Sequence, residues 1–369
     1  MLTQKTAGTA GGNDVYFCTY FDANYLDKGL ALAHSLERVS GAYTLYVLAL
    51  DEKCEAVLKS EAPPHVTVLS LNEFETPAQR ELRAGRRLAE YYWSLTPSLV
   101  QYLLARYELP ECTYIDADMR FFSDPAPMLQ ALADAGASVG VVEHGFRDSV
   151  RGRNLVRNFG PYCVEFNTFV NDERGAAALA WWRARCEEST SVETGGDQKY
   201  LSDWTERFPG VYVHKNAGGG VAPWNIGKYA LVPAGKKQKP EGVRLREKHR
   251  KEVFPLVFYH YHKLVYLADG TVDTCVAQFP GYPSRALLHA VYDPYLREIE
   301  ILRTMLSEKY GLSFPPKSAV LTTVPGAHSL KEKCRALLCA KPWEIADELL
   351  RARRRRTSDR IDLSRLTGR

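Results

Sequence analysis

Two aspartates stand one residue apart at the end of an apolar run. Asp116 and Asp118 directly follow the strand-like segment 112–115. Carboxylate oxygens are hard ligands for divalent cations, and a pair of them leaves coordination positions open for a diphosphate. Ligands of open α/β sheets bind beyond the carboxyl ends of the strands. A strand over residues 112–115 would place both aspartates at that edge of the sheet. The pattern suggests a cation site, although an Asp-x-Asp pair also occurs in ordinary turns.

A second candidate group is the pair His260 and His262, at the end of a strand-like run that starts at Val253. Side chains two residues apart in a strand point to the same face, so either or both imidazoles could reach one ligand. A structural role for a histidine at a strand end is the alternative. An imidazole nitrogen added to two carboxylates would favour Mn²⁺ over Mg²⁺.

A third candidate group is Asp197 and Gln198, which follow a glycine pair and open a short amphipathic segment. An acid in the first turn complements the helix dipole, which is the structural interpretation. The functional interpretation gives both side chains sugar hydroxyls to bind. The sequence leaves both interpretations open.

The first 70 residues predict the scaffold that would position these groups. A strand begins at Val15, and apolar residues at helical spacing predict a helix over Leu26 to Val39 with Asp27 as a cap. Strands over Tyr43 to Leu50 and Val66 to Leu71 flank a further helical stretch. This alternation of strands and helices predicts an α/β fold with a mixed, mostly parallel, Rossmann-like central sheet.

Composition excludes several classes of protein. The chain has 369 residues, of which 45% are hydrophobic and 25% are charged, so wholesale disorder and fibrous repeats are excluded. The eight cysteines show no zinc-binding spacing. No apolar run reaches the roughly 18 residues of a membrane span, and no secretory signal opens the chain, so we expect a cytoplasmic protein.

Charge and periodicity divide the chain into three predicted parts. Residues 14–265 would form the catalytic domain, and residues 266–330, helical from Tyr282 onward, would form an extension on the acceptor side. Residues 331–369 contain twelve Lys and Arg against six Asp and Glu, and include four consecutive arginines at 353–356. We expect this last part to be a basic helical tail that contacts anionic membrane peripherally.

Taken in order, the motifs resemble those of GT-A-type glycosyltransferases, and most of all those of the retaining family 8 group and its bacterial relatives. The resemblance runs from about Val15 to about Leu264. It implies a GT-A nucleotide-diphospho-sugar transferase fold. It assigns the nucleotide base and ribose to residues in and after the first strand, namely Phe17, Thr19, Asp22, Asn24 and Tyr25.

The remaining matches concern the metal, the diphosphate and the sugar. Arg86 stands where such proteins carry a basic residue for donor binding, and Asn167 matches the Asn that contacts the donor sugar. The family's H-x-x-G-x-x-K-P-W element appears only as residues 260–263, with His260 or His262 as metal ligand and Lys263 as the phosphate contact. The two central motifs are the metal-binding D-x-D, here Asp116, Ala117 and Asp118, and the D-Q pair of the reaction centre, here Asp197 and Gln198.

The resemblance implies a hexosyltransferase that uses Mn²⁺ or Mg²⁺ and a nucleotide-diphospho-sugar, with UDP-sugar favoured over GDP-sugar. The sugar would pass with retention to a saccharide or other acceptor. Two alternatives stay open: a haloacid-dehalogenase-like phosphohydrolase with Asp116 as nucleophile, and an inactive transferase scaffold that binds partners. A nucleic-acid partner is not expected, because it would leave Asn24, Asn167 and the pair Asp197 and Gln198 without a role.

Overall fold

A seven-stranded mixed sheet forms the centre of the protein. The computed structural model describes residues 14–191, 195–215, 218–233, 242–317 and 360–367. The strand order is β3-β2-β1-β4-β7-β6-β8, and only β7 runs antiparallel to its neighbours. The predicted α/β fold with a mixed, mostly parallel sheet is confirmed. The strands are β1 (Val15–Phe21), β2 (Tyr43–Ala49), β3 (Val66–Ser70), β4 (Glu111–Ile115), β6 (Val139–Glu143), β7 (Tyr162–Val170) and β8 (Val211–Val213).

Helices cover both faces of this sheet, because its central strands are apolar on both sides. One core contains side chains of α1, α2 and α10, and the other contains side chains of α5 and α8. The helices are α1 (Leu26–Val39), α2 (Glu52–Glu61), α3 (Leu71–Phe74), α4 (Pro77–Gly85), α5 (Leu88–Arg106), α6 (Ala126–Asp134), α7 (Val150–Phe159), α8 (Glu173–Glu188), α9 (Trp204–Arg207), α10 (Arg285–Tyr310) and α11 (Ser364–Thr367).

A two-stranded ribbon lies beside the end of β4. Strand β5 (Met119–Phe121) pairs antiparallel with β12 (Phe258–His260), and His260 is the register partner of Met119. The ribbon brings together two segments that are more than 100 residues apart in the sequence. It therefore places the end of β12 next to the loop that carries Asp116 and Asp118.

Two further small sheets complete the described strands. The first has the order β11-β10-β9. The composition of the charged stretch 235–252 suggests a simple solvated hairpin, but this stretch contains a strand of its own, β10, which pairs with β9 and β11. The second has the order β13-β14-β15. Their strands are β9 (Tyr229–Val232), β10 (Arg244–Glu247), β11 (Val253–Pro255), β13 (Val265–Tyr266), β14 (Thr271–Asp273) and β15 (Arg360–Asp362).

Helix α10 packs against α1 within one hydrophobic core, and an ion pair of the buried Asp27 crosses this contact. The prediction that Asp27 caps α1 is wrong: Asp27 is fully buried, and Arg303 Nε donates to its Oδ2 at 2.7 Å. The guanidinium of Arg303 also lies 3.6 Å from the ring centroid of Tyr266. This ion pair joins the two helices across 276 residues of sequence.

The C-terminal end of the described chain returns to the body of the protein. Strand β15 pairs with β14, and Ile361 is buried in the same core as α1 and α10. The four arginines 353–356, and with them the predicted helical part of the tail, lie outside the described residues. Along the described chain, no helix is both long enough and apolar enough to cross a bilayer.

Candidate metal and ligand site

Backbone hydrogen bonds fix the loop that carries the two aspartates. Strand β4 ends at Ile115 and β5 begins at Met119, so the loop is only three residues long. The Asp116 amide donates to the carbonyl of Glu165 on β7 at 3.3 Å, and the Tyr261 amide donates to the carbonyl of Asp118 at 2.9 Å. The loop is thus held between β7 and the end of β12.

Both carboxylates face the imidazole of His260. Its Nε2 lies 3.1 Å from Oδ1 of Asp118 and 3.6 Å from Oδ2 of Asp116. One ligand atom from each of these residues lies within 4.8 Å of the others. The Asp116 side chain is 24% exposed, the Asp118 side chain is 15% exposed, and that of His260 is 5% exposed. Two oxygens and one nitrogen therefore meet at a surface that is open on the carboxylate side.

Burial and mutual charge set the protonation of this group. Burial raises the pKa of Asp116 to about 8. Burial acts in the same direction on Asp118, but the charge and hydrogen bond of His260 outweigh it and lower the pKa of Asp118 to about 2. Burial alone would lower the pKa of His260, but the charge of Asp118 outweighs it and raises this pKa well above the usual value. The charge of Asp118 thus favours positive charge at Nε2, as a divalent cation would supply.

Sequence analysis missed Glu165, which lies directly behind His260. Nδ1 of His260 donates to Oε2 of Glu165 at 2.8 Å, and the Glu165 side chain is completely buried. Carboxylates that accept the second ring N–H of a metal-binding histidine are common in metal sites. The available signal was the single charged residue within the run of β7.

His262 lies beside the group but is not part of it. Its ring centroid is 5.6 Å from that of His260 and 5.5 Å from that of Trp224, and burial lowers its pKa to about 3. Neither group of metal-ligating side chains found in the described part of the chain includes His262. Lys263 is exposed and has a positive φ of 55°. Of the two histidines, the geometry favours His260 as the ligand.

The segment after β1 lies close to the aspartates. Asp22 accepts from the amide of Asn24 at 3.0 Å and from the hydroxyl of Tyr92 at 3.2 Å. The charge of Asp118 raises the pKa of Tyr25, whose side chain is exposed and lies over the Lys28 ammonium at 4.0 Å. Asn24 is also exposed. These side chains form an open polar and aromatic surface next to the carboxylates.

Four other predicted contact residues are buried. Phe17 is fully buried and packs against Phe121 and Phe166, so its side chain belongs to the core. Ala117 lies in the loop between the aspartates and is 8% exposed. Thr19 and Asn167 are fully buried, and neither Oγ1 of Thr19 nor Oδ1 of Asn167 has a hydrogen-bond partner among the described residues. A bound hydroxyl or water would satisfy these two acceptors.

The guanidinium of Arg86 binds the C-terminal end of helix α8. It donates to the Cys186 carbonyl at 2.7 Å, to Oγ1 of Thr190 at 3.0 Å and to the Glu187 carbonyl. These carbonyls belong to the last turn of α8, where cationic side chains stabilise the helix. The contacts give Arg86 a structural role in holding α8 against the start of α5.

Asp197 and Gln198 are held by the chain on both sides. Asp197 is 7% exposed, and burial raises its pKa to about 7. The Trp182 indole donates to its carbonyl at 3.0 Å. Gln198 donates through Nε2 to the carbonyl of Phe159 at 3.1 Å, at the end of α7. The predicted helix here is a 3-10 helix over Gln198–Asp203, followed by α9.

Three hydroxyls lie between Asp197 and Asp116. Thr96 donates to Oδ2 of Asp197 at 3.0 Å, and the Tyr20 hydroxyl is 3.0 Å from the oxygen of Thr96. The ring centroid of Tyr114 lies 5.6 Å from that of Tyr20, and the Tyr114 hydroxyl donates to Oδ1 of Asp116 at 2.9 Å. Sequence analysis missed all three hydroxyls.

The raised pKa of Asp197 predicts a pH-dependent stability. Its folded pKa of about 7 exceeds the ordinary value of 3.8, so the folded state keeps a proton that the unfolded state has lost. Stability is therefore lost as pH rises through this window, by up to about 1.4 kcal/mol per pH unit. Denaturant titrations give the free energies of unfolding of the wild type and of Asp197→Asn. We expect the difference between these two free energies to change between about pH 4 and 7. A constant difference would contradict the assignment, and the exposed Asp134→Asn is the control.

The comparisons with known proteins give distant relatives. No protein-family model matches the chain. It is 28% identical over 319 residues to uncharacterized protein YfnD of Bacillus subtilis strain 168, covering 84% of this chain and 97% of that protein. It is 29% identical over 252 residues to uncharacterized protein YfnF of the same strain, covering 66% and 80%. The names of these two relatives state no activity.

Solved structures with a similar arrangement include two glycosyltransferases. Mouse xyloside xylosyltransferase 1, in its apo form, has a TM-score of 0.42 and 13% identity, covering 68% of this chain and 98% of that one. The galactosyltransferase LgtC, in complex with donor and acceptor sugar analogues, has a TM-score of 0.41 and 15% identity, covering 68% and 87%. Both TM-scores are below 0.5, so these similarities carry no conclusion about function.

Proposed function

We propose that this protein is a metal-dependent glycosyltransferase that moves a sugar from a nucleotide-diphospho-sugar to a saccharide or other acceptor. The observation that carries the proposal is the meeting of Asp116, Asp118 and His260 Nε2 at a partly open surface. This donor set suits a divalent cation that must keep positions free for a diphosphate. The exposed segment after β1 adds a surface for a nucleoside on the same side.

The residues present fit a cation well. Two carboxylates and an imidazole suit Mn²⁺, and also Mg²⁺ with its stronger preference for oxygen. Glu165 accepts the Nδ1 proton, which leaves Nε2 of His260 available as a ligand. When bound, the cation would act as a Lewis acid that neutralises charge on the departing diphosphate.

The other residues would bind and orient the donor. Asp22, Asn24 and Tyr25 would hold the nucleoside, which we propose to be uridine rather than guanosine. Lys263, exposed next to the histidines, would contact the diphosphate. No donor contact is proposed for Arg86, because its guanidinium is occupied by carbonyls of α8.

Asp197 and Gln198 would act on the transferred sugar. The transfer develops positive charge at the anomeric carbon, which the dipole of Gln198 or the carboxyl of Asp197 would stabilise. For a retaining hexosyltransferase, the leaving phosphate itself would take the proton of the acceptor from the same face. Asn167 would bind a sugar hydroxyl through the buried acceptor that lacks a protein partner.

The basic segment 331–369 would contact an anionic membrane peripherally. Its charge is the supporting observation, with twelve Lys and Arg against six Asp and Glu. Such residues gain about 1 kcal/mol each near an anionic membrane. The described end of the segment, β15, would tether it to the catalytic body.

Incubation with a panel of nucleotide sugars and Mn²⁺ tests this proposal. We expect hydrolysis or transfer for one UDP-sugar, loss of the activity with a chelator, and release of the sugar with the anomeric configuration of the donor. Phosphate release from simple phosphoesters, with a phosphorylated Asp116, would instead indicate the phosphohydrolase. Absence of turnover together with tight donor binding would indicate an inactive scaffold.

A further inference from the structure

Glu165 is a buried charge with an incomplete set of partners. Its side chain has no exposed surface, and its Oε2 accepts from Nδ1 of His260 at 2.8 Å. Among the described residues, no hydrogen-bond donor faces Oε1. A carboxylate that is buried away from water, with a hydrogen bond to only one of its two oxygens, lowers the free energy of unfolding. Its presence therefore requires a compensating positive charge nearby.

The imidazole of His260 connects Glu165 to the two aspartates. Nδ1 faces Glu165, whereas Nε2 faces Asp118 at 3.1 Å and Asp116 at 3.6 Å. With the proton fixed on Nδ1, the neutral ring has its lone pair on Nε2, on the side of the aspartates. With the opposite tautomer, the lone pair would face a carboxylate and Nε2 would carry a hydrogen toward the cation position. The orientation of one hydrogen bond therefore decides whether His260 is a ligand.

We propose that Glu165 is the positioning residue of this site, and that it aims Nε2 of His260 at a cation shared with Asp116 and Asp118. This inference rests on the proposed function, because it requires the cation site. Glu165 itself is completely buried and does not reach the open surface. It acts only through the ring of His260.

A second group of metal-ligating side chains shares the same histidine. Ligand atoms of Cys163, Glu165 and His260 also lie within 4.8 Å of one another. All three residues are buried, so a cation among them would have no position open to substrate. It would also take the place of the proton between Nδ1 and Glu165. We therefore assign this group to orienting the ring, which predicts that His260 holds a single cation.

Mn²⁺ titration without donor substrate tests the inference. Glu165→Gln keeps the size of the side chain but removes its charge, and its amide can reverse the hydrogen bond to Nδ1. Glu165→Asp keeps the charge but withdraws it by one methylene. We expect both variants to bind Mn²⁺ more weakly, by about 10-fold to 100-fold for Glu165→Gln. Electron paramagnetic resonance of free Mn²⁺ gives the dissociation constants, and Glu143→Gln, an exposed acid at the end of β6, is the control.

The tautomer of His260 supplies a readout that a merely structural role would not change. With Mg²⁺ present, ¹⁵N spectra of histidine-labelled protein should show His260 protonated on Nδ1 in the wild type and altered in Glu165→Gln, with the resonance assigned by its loss in His260→Gln. Wild-type binding of one Mn²⁺ with both Glu165 variants binding within twofold would overturn the inference and leave the proposed function intact. Two ions per chain that are both lost in His260→Gln would also overturn it. Absence of Mn²⁺ binding by the wild type would contradict the proposed function itself.

Discussion

Asp118→Asn is expected to lower metal-dependent turnover of the nucleotide sugar by about a thousandfold, or about 4 kcal/mol of transition-state stabilisation. The substitution removes one charged oxygen of the cation site, and Asp118 is the carboxylate nearest to Nε2 of His260. An amide oxygen is a weaker ligand and does not offset the charge of the cation. Initial rates with Mn²⁺ and the donor found in the nucleotide-sugar panel measure the effect.

The matched control for this variant is Asp134→Asn. Asp134 is exposed on α6, so the same chemical change there should leave the rate within a factor of two. Both variants should keep a cooperative unfolding transition in the presence of a chelator, which separates loss of the cation from loss of the fold. Turnover by Asp118→Asn at the wild-type rate would refute its role as a ligand.

Arg303→Met is expected to lower the free energy of unfolding by about 3 kcal/mol, because it leaves Asp27 buried without its closest cation. Asp27 has no exposed surface and accepts from Arg303 at 2.7 Å, whereas the Lys28 ammonium is farther away, at 3.6 Å. The substitution also removes the guanidinium from the ring of Tyr266. Equilibrium denaturation in urea measures the change.

Two further variants make the prediction about Arg303 specific. Arg297→Met changes an exposed arginine of the same helix and should alter stability by less than about 0.5 kcal/mol. The double variant Asp27→Leu with Arg303→Met should recover part of the loss, because no unpaired charge remains in the core. If Arg303→Met were as stable as Arg297→Met, the ion pair would not hold α10 on α1.

The parts of the fold that local pattern determines could be predicted. Apolar runs and helical spacing are sufficient for β1 and α1, and the acids at the end of β4 stand out because they interrupt such a run. The sequence predicts a helix over residues 97–107 with Pro97 in its first turn, but α5 begins nine residues earlier, at Leu88, and contains the proline. Proline within a helix is rare enough that composition favours a start there.

The contacts that complete the site depend on tertiary structure. Glu165 lies next to His260 only because β7 and β12 both reach the loop after β4, and the two residues are 95 positions apart. Aspartate is a common residue at helix N-caps, but the ion pair with Arg303 on α10 gives Asp27 a different role. By its place in the sequence, Arg86 likewise matches a donor-binding position, but its guanidinium donates to a carbonyl at the end of α8. Pairings between distant segments leave no local pattern.

Calorimetric titration of the full chain with Mn²⁺ is the most direct test of the cation site. We predict binding of one ion to the wild type and to Asp134→Asn, and loss of that binding in Asp118→Asn and in His260→Gln. Binding that persists unchanged in both of these variants, or no heat of binding to the wild type with or without nucleotide sugar, would contradict the assignment of Asp116, Asp118 and His260.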